Sequence, residues 1–283
     1  MLIRSKTVVI TGATSGLGLI AAERLAAMGA RLVIVARSRR RGENALARLA
    51  AHGPGIAHSI HYADLSRLTE MKRVGAEIAA AEPRIDVLIN NAGCMFGRRE
   101  LTEDGLERTF AVNHVAYFVL TQLLRDRLVA AAPARIVNTA SDAHLREELD
   151  FGDLQLAKGY RFRAAYGRSK LAHILFTREL ARRLAGTGVT ANALHPGFVA
   201  TDLGQRDNGL LAILIRLAML VRAGPAEKGA ETIVYLASSP EVAEVSGSYF
   251  YDCRPATPSS EAQNDDNARR LWVETARIAG LPD

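Results

Sequence analysis

Thr7-Val8-Val9-Ile10-Thr11-Gly12-Ala13-Thr14-Ser15-Gly16-Leu17-Gly18 is the stretch on which the fold turns. Residues 7–10 form a continuous β-branched run without polar alternation, the pattern of a strand buried on both faces. Residues 18–28 then follow helical spacing and stop at Gly29. The glycines between the two permit a tight turn and a close approach of backbone to a pyrophosphate. The helix N-terminus adds N–H groups and a dipole favourable to an anion. A glycine trio alone is a weak signal, but at the first strand-to-helix junction it predicts a dinucleotide site. Gly12, Thr14, Ser15, Gly16, Leu17 and Gly18 are its candidate contacts.

The same alternation continues outward. Residues 31–36, 57–62, 87–89, 135–138, 189–194 and 248–251 read as further strands. Residues 43–52, 65–81, 105–130, 164–184, 226–238 and 268–278 read as helices between and after them. Strands of this kind separated by helices imply an α/β fold, a Rossmann-type, doubly wound parallel sheet with helices on both faces. No repeat or linker divides the chain, so residues 1–283 are expected to form one domain. Two segments depart from the alternation: an apolar helical insertion at 204–223, and a polar, turn-rich stretch at 254–267.

Composition narrows the function. A net charge of +6, from 36 basic and 30 acidic side chains, comes without long basic runs or interleaved aromatics, so nucleic acid is not an expected partner. Two cysteines, Cys94 and Cys253, make no disulfide framework and have no metal-ligand spacing, which points to a reducing compartment and no bound metal. No apolar leader precedes the first strand, and the most apolar stretch, 210–221, is too short for a bilayer span of about 20 residues. A cytoplasmic protein is the expectation.

The second strand ends Val35-Ala36-Arg37, with no acid before Glu43. An acid there would bind a ribose 2′-hydroxyl, whereas a basic residue suits a 2′-phosphate. Arg37, with its planar donors, therefore favours NADP(H) over NAD(H), the alternative being an exposed surface charge. Asp64-Leu65 after the third strand could hold an adenine amino group, or Asp64 could cap the next helix. Asn91, Ala92 and Gly93, after Asn90 at the fourth strand, could line the adenosine and nicotinamide path.

Tyr166 and Lys170 lie four residues apart in a predicted helix, hence one turn apart on one face. A free phenol titrates near 10, and a neighbouring ammonium favours its ionised form, so the pair can serve as general acid/base on an alcohol or carbonyl oxygen. Ser141 ends the fifth strand, at the sheet edge where such folds bind ligands. Asn113 sits on an otherwise apolar helical face and needs a partner.

Taken together, these motifs resemble the short-chain dehydrogenase/reductase family over nearly the whole chain, and most closely its retinol dehydrogenase-like branch. The resemblance rests on Thr11-Gly12 to Gly18, Asn90-Asn91-Ala92-Gly93, the tetrad Asn113, Ser141, Tyr166 and Lys170, and Leu194-His195-Pro196-Gly197. Supporting runs are Ser169-Lys170-Leu171-Ala172 and Leu175-Phe176-Thr177-Arg178-Glu179-Leu180. It implies Tyr166 as proton donor and acceptor, and Lys170 as the group that lowers its pKa and holds the nicotinamide ribose. Ser141 would bond the substrate oxygen, and Asn113 would hold a water linking Lys170 to solvent. Pro196, Gly197, Val199 and Thr201 would contact the nicotinamide end and the pyrophosphate. Ala140 stands where the branch usually has a second serine, and Cys94 where it usually has an aliphatic residue. Homo-oligomers are usual in the family.

Specificity is expected from loops at 142–162 and 204–223. The second, as a lid, would favour a lipophilic alcohol, aldehyde or ketone and exclude water; the alternatives are a core-packing helix and a peripheral membrane contact. His144 is expected at the surface. The rival to an enzyme is a non-catalytic NADP(H)-binding sensor on the same fold.

Overall fold

The computed structural model describes residues 3–197 and 226–283. The apolar insertion expected at 204–223, together with Val199 and Thr201, lies outside the described residues. In chain order the strands are β1 Thr7–Thr11, β2 Arg31–Ala36, β3 Ser59–Tyr62, β4 Val87–Asn90, β5 Ala134–Thr139, β6 Val189–His195, β7 Tyr249–Tyr251 and β8 Arg254–Pro255. The helices are α1 Gly16–Ala27, α2 Arg39–His52, α3 Leu68–Ala81, α4 Arg108–Phe110, α5 Ala116–Ala131, α6 Phe162–Arg183, α7 Ala226–Ser238 and α8 Asp265–Ala279.

One sheet has the order β3-β2-β1-β4-β5-β6-β7-β8, parallel from β3 through β7. The period of two along each strand sorts the core into two layers. Val9, Leu88 and Ile136 point into the layer that also holds Phe118 of α5, Phe176 of α6 and Trp272 of α8. Val8, Ile10 and Leu32 point into the other, with Leu25 of α1 and Ile233 of α7. After β3 the chain returns to the middle of the sheet and continues outward on the other side of β1. This reversal between β1 and β4 opens a crevice at the carboxyl ends of the strands.

The sheet differs from the sequence expectation at its edge. β8 runs antiparallel to β7, joined by the two-residue turn Asp252-Cys253. Both turn residues are left-handed, φ 51° and 59°. A two-residue hairpin turn of the I′ type demands this and normally uses Asn-Gly or Asp-Gly. The Cys253 amide bonds Thr232 Oγ1 at 3.2 Å, a tertiary anchor that the local sequence does not announce.

Helix starts differ as well. α3 begins at Leu68 rather than 65, because Asp64 turns the chain first: its Oδ1 accepts the Ser66 amide at 3.0 Å and the Ser66 hydroxyl at 2.8 Å. Asp64 thus caps a turn and not the helix. The last helix begins at Asp265, capped by Asn264, whose Oδ1 accepts the amides of Asp266 and Asn267 at 3.1 Å each. Ahead of α5, residues Ala111–Val115 form one π-helical turn. Such turns interrupt the i to i−4 ladder and often sit at functional sites.

Candidate active site

A cleft of about 620 Å³ lies at the carboxyl ends of the central strands. Its floor is the β1–α1 turn. Gly12 has φ +71°, and a Cβ there would fall 2.8 Å from Ala92 Cα. A Cβ on Gly18 would fall 2.4 Å from the Gly12 carbonyl oxygen and from Asn91 Nδ2. Only glycine allows α1 to start so close to the β4 end. Gly16, at φ +54°, has no atom within 4 Å of where its Cβ would be, so that side of the turn is open. Ser15 precedes α1 with extended backbone and makes no side-chain cap. The open glycine and the uncapped amides suit a pyrophosphate. Thr14 and Leu17 also line the cleft.

Asn91 braces this turn. Its Nδ2 donates to the carbonyls of Thr11 and Gly12 at 3.3 Å each. Thr11 Oγ1 accepts the amides of Asn91 and Ala92 at 3.0 Å each. Ala92 and Gly93 carry the cleft wall onward. At the far end, Arg37 and Arg41 both line the cleft and both are exposed. Ser38 caps α2 by accepting the Arg41 amide at 3.5 Å, which sets the Arg41 backbone beside Arg37. The sequence expectations named Arg37 and not Arg41. Asp64 and Leu65 line the same region.

Ser141, Tyr166 and Lys170 meet at the opposite end, where Pro196 and Gly197 also line the cleft. Lys170 Nζ lies 5.4 Å from the centre of the Tyr166 ring. It donates to the Thr139 carbonyl at 2.9 Å, and the residue is 3% exposed. Burial pushes this amine down to about 7. Tyr166 lines the cleft and is half-buried; desolvation pushes its phenol up to about 12, against a hydrogen bond with Ser141 that lowers it. Desolvation, not the amine, therefore dominates both groups here. The Ser141 hydroxyl donates to Asp142 Oδ1 at 3.0 Å and accepts the Ala143 amide at 3.2 Å.

Asn113 stands behind this group, fully buried in the π turn. Its Oδ1 accepts the Cys94 amide at 2.8 Å, and its Nδ2 donates to the Cys94 carbonyl at 3.0 Å and to Ser169 Oγ at 2.9 Å. The side chain ties the segment after β4 to the helix that carries Tyr166 and Lys170. Its main-chain carbonyl faces His173 Nε2 at 2.5 Å, while His173 Nδ1 faces the Thr139 carbonyl at 3.0 Å. The sequence reading passed over His173, although it lies three residues beyond Lys170 and so on the same helical face.

One further residue differs from expectation: His144 is fully buried and not at the surface. Gly167, inside the Tyr-Gly-Arg-Ser-Lys run, is there for space: a Cβ would fall 2.7 Å from the Ala143 carbonyl oxygen.

The family profile described as short chain dehydrogenase matches residues 6–209. The chain belongs to the short-chain dehydrogenase family, within its retinol dehydrogenase-like branch. It is 42% identical to retinol dehydrogenase 13 of Homo sapiens, over 99% of this chain and 86% of that protein. It is 43% identical to retinol dehydrogenase 14 of Homo sapiens, over 99% and 88%. Among solved structures, a Mycobacterium paratuberculosis protein superposes with a TM-score of 0.78 at 31% identity, covering 99% of this chain and 95% of that one. The Pseudomonas aeruginosa RhlG/NADP complex superposes with a TM-score of 0.70 at 27% identity, covering 88% and 94%. The protein is thus an oxidoreductase acting on CH–OH groups, and the family uses a nicotinamide cofactor. No helix among the described residues is long and apolar enough to cross a membrane.

Proposed function

We propose that the protein is an NADP(H)-dependent reductase or dehydrogenase of a lipophilic alcohol, aldehyde or ketone, with retinoids the first substrates to try. The observation that carries this reading is one cleft that ends in Arg37 and Arg41 on one side and in Ser141, Tyr166 and Lys170 on the other. Arginine donors without an opposing acid suit a 2′-phosphate. The names of the human relatives and the NADP-bound neighbour support the same substrate and coenzyme.

The coenzyme, when bound, supplies or takes the hydride; the protein manages the oxygen. Tyr166 gives its proton to the carbonyl oxygen, or takes one from the alcohol. Desolvation raises its phenol, which favours the protonated form that carbonyl reduction uses. Ser141 bonds the same oxygen and steadies the charge that develops there, which requires its hydroxyl to turn away from Asp142. Lys170, anchored on Thr139, holds the ribose side and resupplies the proton. Asn113 keeps the segment after β4 locked to α6, so that these groups stay in register.

A regulatory protein that only senses NADP(H) would also need Arg37 and the glycine turn, but not the Tyr166–Lys170 pair. A cytoplasmic location belongs to the proposal, and so does self-association. The latter would use faces other than that of α6 covered by α8, where Trp272 stacks on Phe176 at 5.7 Å.

The test is oxidation of NADPH and NADH against a panel of aldehydes and ketones that includes retinaldehyde. Turnover is expected with NADPH over NADH. It should drop about 100-fold or more in Tyr166→Phe while NADPH binding, read by fluorescence, persists. Activity retained in Tyr166→Phe would remove Tyr166 from the chemistry, and preference for NADH would remove Arg37 from the coenzyme site.

A further inference from the structure

The turn that follows β5 presents Ser141 and is pinned from below by a buried histidine. The His144 ring is 0% exposed and lies at 5.2 Å, edge-on, to Tyr249. Its two nitrogens have different partners. Nε2 faces the Ser259 amide at 3.1 Å, and a main-chain N–H can only donate, so Nε2 must present its lone pair. A neutral imidazole then carries its hydrogen on Nδ1, and Nδ1 lies 2.6 Å from the Ser141 carbonyl oxygen. One tautomer satisfies both contacts. The other sets two lone pairs against each other at Ser141 and two hydrogens against each other at Ser259. An imidazolium sets hydrogen against hydrogen at Ser259. The groups facing the ring are Asp142 on its own turn, His195 of β6 and Tyr249 of β7.

We propose that His144 is the positioning residue of Ser141, a neutral Nδ1–H imidazole that ties the serine's main chain to the segment after β8. Ser141 has extended backbone at φ −165°, and its carbonyl also accepts the His144 amide at 3.3 Å. The carbonyl therefore receives two hydrogen bonds from one residue. Rotating the Ser141 peptide would break both. The other end of the link is itself braced: Ser259 Oγ accepts the Ala262 amide at 3.3 Å, and Gln263 Nε2 donates to the Pro258 carbonyl at 3.1 Å. The segment at 258–263, far from the cleft in sequence, thereby sets where the Ser141 hydroxyl points. A hydroxyl that has to swing from Asp142 to a substrate oxygen needs such a fixed pivot.

This inference rests on the oxidoreductase reading above, and its test separates the two. Kinetics use the full chain with NADPH and retinaldehyde, or the best carbonyl compound of the panel. His144→Phe keeps a flat ring and loses both bonds. His144→Gln keeps an acceptor near the Nε2 position and loses the donor to Ser141. His144→Asn keeps a donor near the Nδ1 position. Expected is a fall in kcat of about tenfold, worth about 1.4 kcal/mol, in the Phe and Gln variants. KM for NADPH should stay within twofold throughout, and at least half of the lost rate should return in His144→Asn. Nitrogen-15 spectra of histidine-labelled wild type should show the Nδ1–H form at neutral pH. The proposal is overturned by an Nε2–H or doubly protonated ring, by kcat within twofold of wild type in His144→Phe, or by equal losses in the Asn and Phe variants. If the wild type turns over no carbonyl compound, the substrate reading falls, and the spectra alone still decide the state of His144.

Discussion

A phenol and an amine one helical turn apart read, from sequence, as a pair in which the ammonium makes the phenol more acidic. Folding changes that balance, because Lys170 becomes buried and Tyr166 half-buried. Lys170 falls to about 7 and Tyr166 rises to about 12, each with burial as the leading cause. The coenzyme-free protein should therefore contain one lysine that titrates near neutrality. Heteronuclear NMR of lysine Nζ should find it, and Lys170→Met should remove it. A midpoint above about 9 for that signal, close to the free value, would show that water reaches the amine. The spacing of Tyr166 and Lys170 was legible in sequence because it follows from helix geometry alone. Their protonation was not, because it follows from how deeply β5 and α6 bury them. At the other end of the cleft, Arg37 is exposed and its proposed work is electrostatic. Charge-assisted hydrogen bonds are worth about 1.5–3 kcal/mol, so Arg37→Glu should raise the KM for NADPH by about 10-fold or more and leave that for NADH nearly unchanged. Equal effects on both coenzymes would mean that Arg37 touches the shared part of the dinucleotide or none of it.

Elements show where a one-dimensional pattern stops being informative. The buried strands declared themselves by apolar runs, and α1 by the glycines before it. The edge hairpin β7–β8 did not, because its turn uses Asp252 and Cys253 in the left-handed region instead of a glycine. A non-glycine residue there bears a strain of about 1–2 kcal/mol. Cys253→Gly should relieve part of it and raise the melting temperature by a few degrees. The opposite result would show that the weak contact between Cys253 Sγ and Thr232 Oγ1, at 3.8 Å, outweighs the strain. Gly167 carries the reverse lesson. In sequence it is a poor helix residue inside a functional helix, at a penalty of about 1 kcal/mol relative to alanine. In the fold it lets α6 lie against the turn that bears Ser141, with the Ala143 carbonyl where a Cβ would go. Gly167→Ala should therefore lower both stability and kcat, despite its better helix propensity. A more stable and fully active variant would show that the turn gives way freely. The π turn around Asn113 was equally silent, since the residues on either side of it, Phe110 and Ala116, are ordinary helical ones in the α region.

At the scale of the molecule, a parallel sheet covered by helices on both faces was readable because it follows from the alternation of elements and from general handedness rules. What escaped were contacts between distant elements. His114 of the π turn meets Thr275 of α8 at 2.9 Å, His144 meets Ser259, and His173 sits between carbonyls from the π turn and from β5. All three rings are fully buried, and in all three burial is the leading cause that pulls the pKa below the ordinary histidine value, in His114 to about 3. The sign of the effect on stability follows. Below about 6.5 histidines of the unfolded chain take up protons that these three in the fold do not. Their contribution is therefore complete above that pH and declines as pH falls, by up to about 1.4 kcal/mol per pH unit for each ring, until its folded value is reached. Glu107 works in the opposite sense, since burial raises its carboxyl and favours a folded state that gains a proton. Net acid sensitivity alone would therefore not isolate the histidines. A comparison with a non-titrating variant does, because every other group cancels. The gap in unfolding free energy between wild type and His114→Asn, measured by urea at pH 7.5, 6.5, 5.5 and 5.0, should stay constant above about 6.5 and shrink steadily below it. A gap that stays constant across the whole range would mean that His114 takes up its proton inside the fold as readily as outside it.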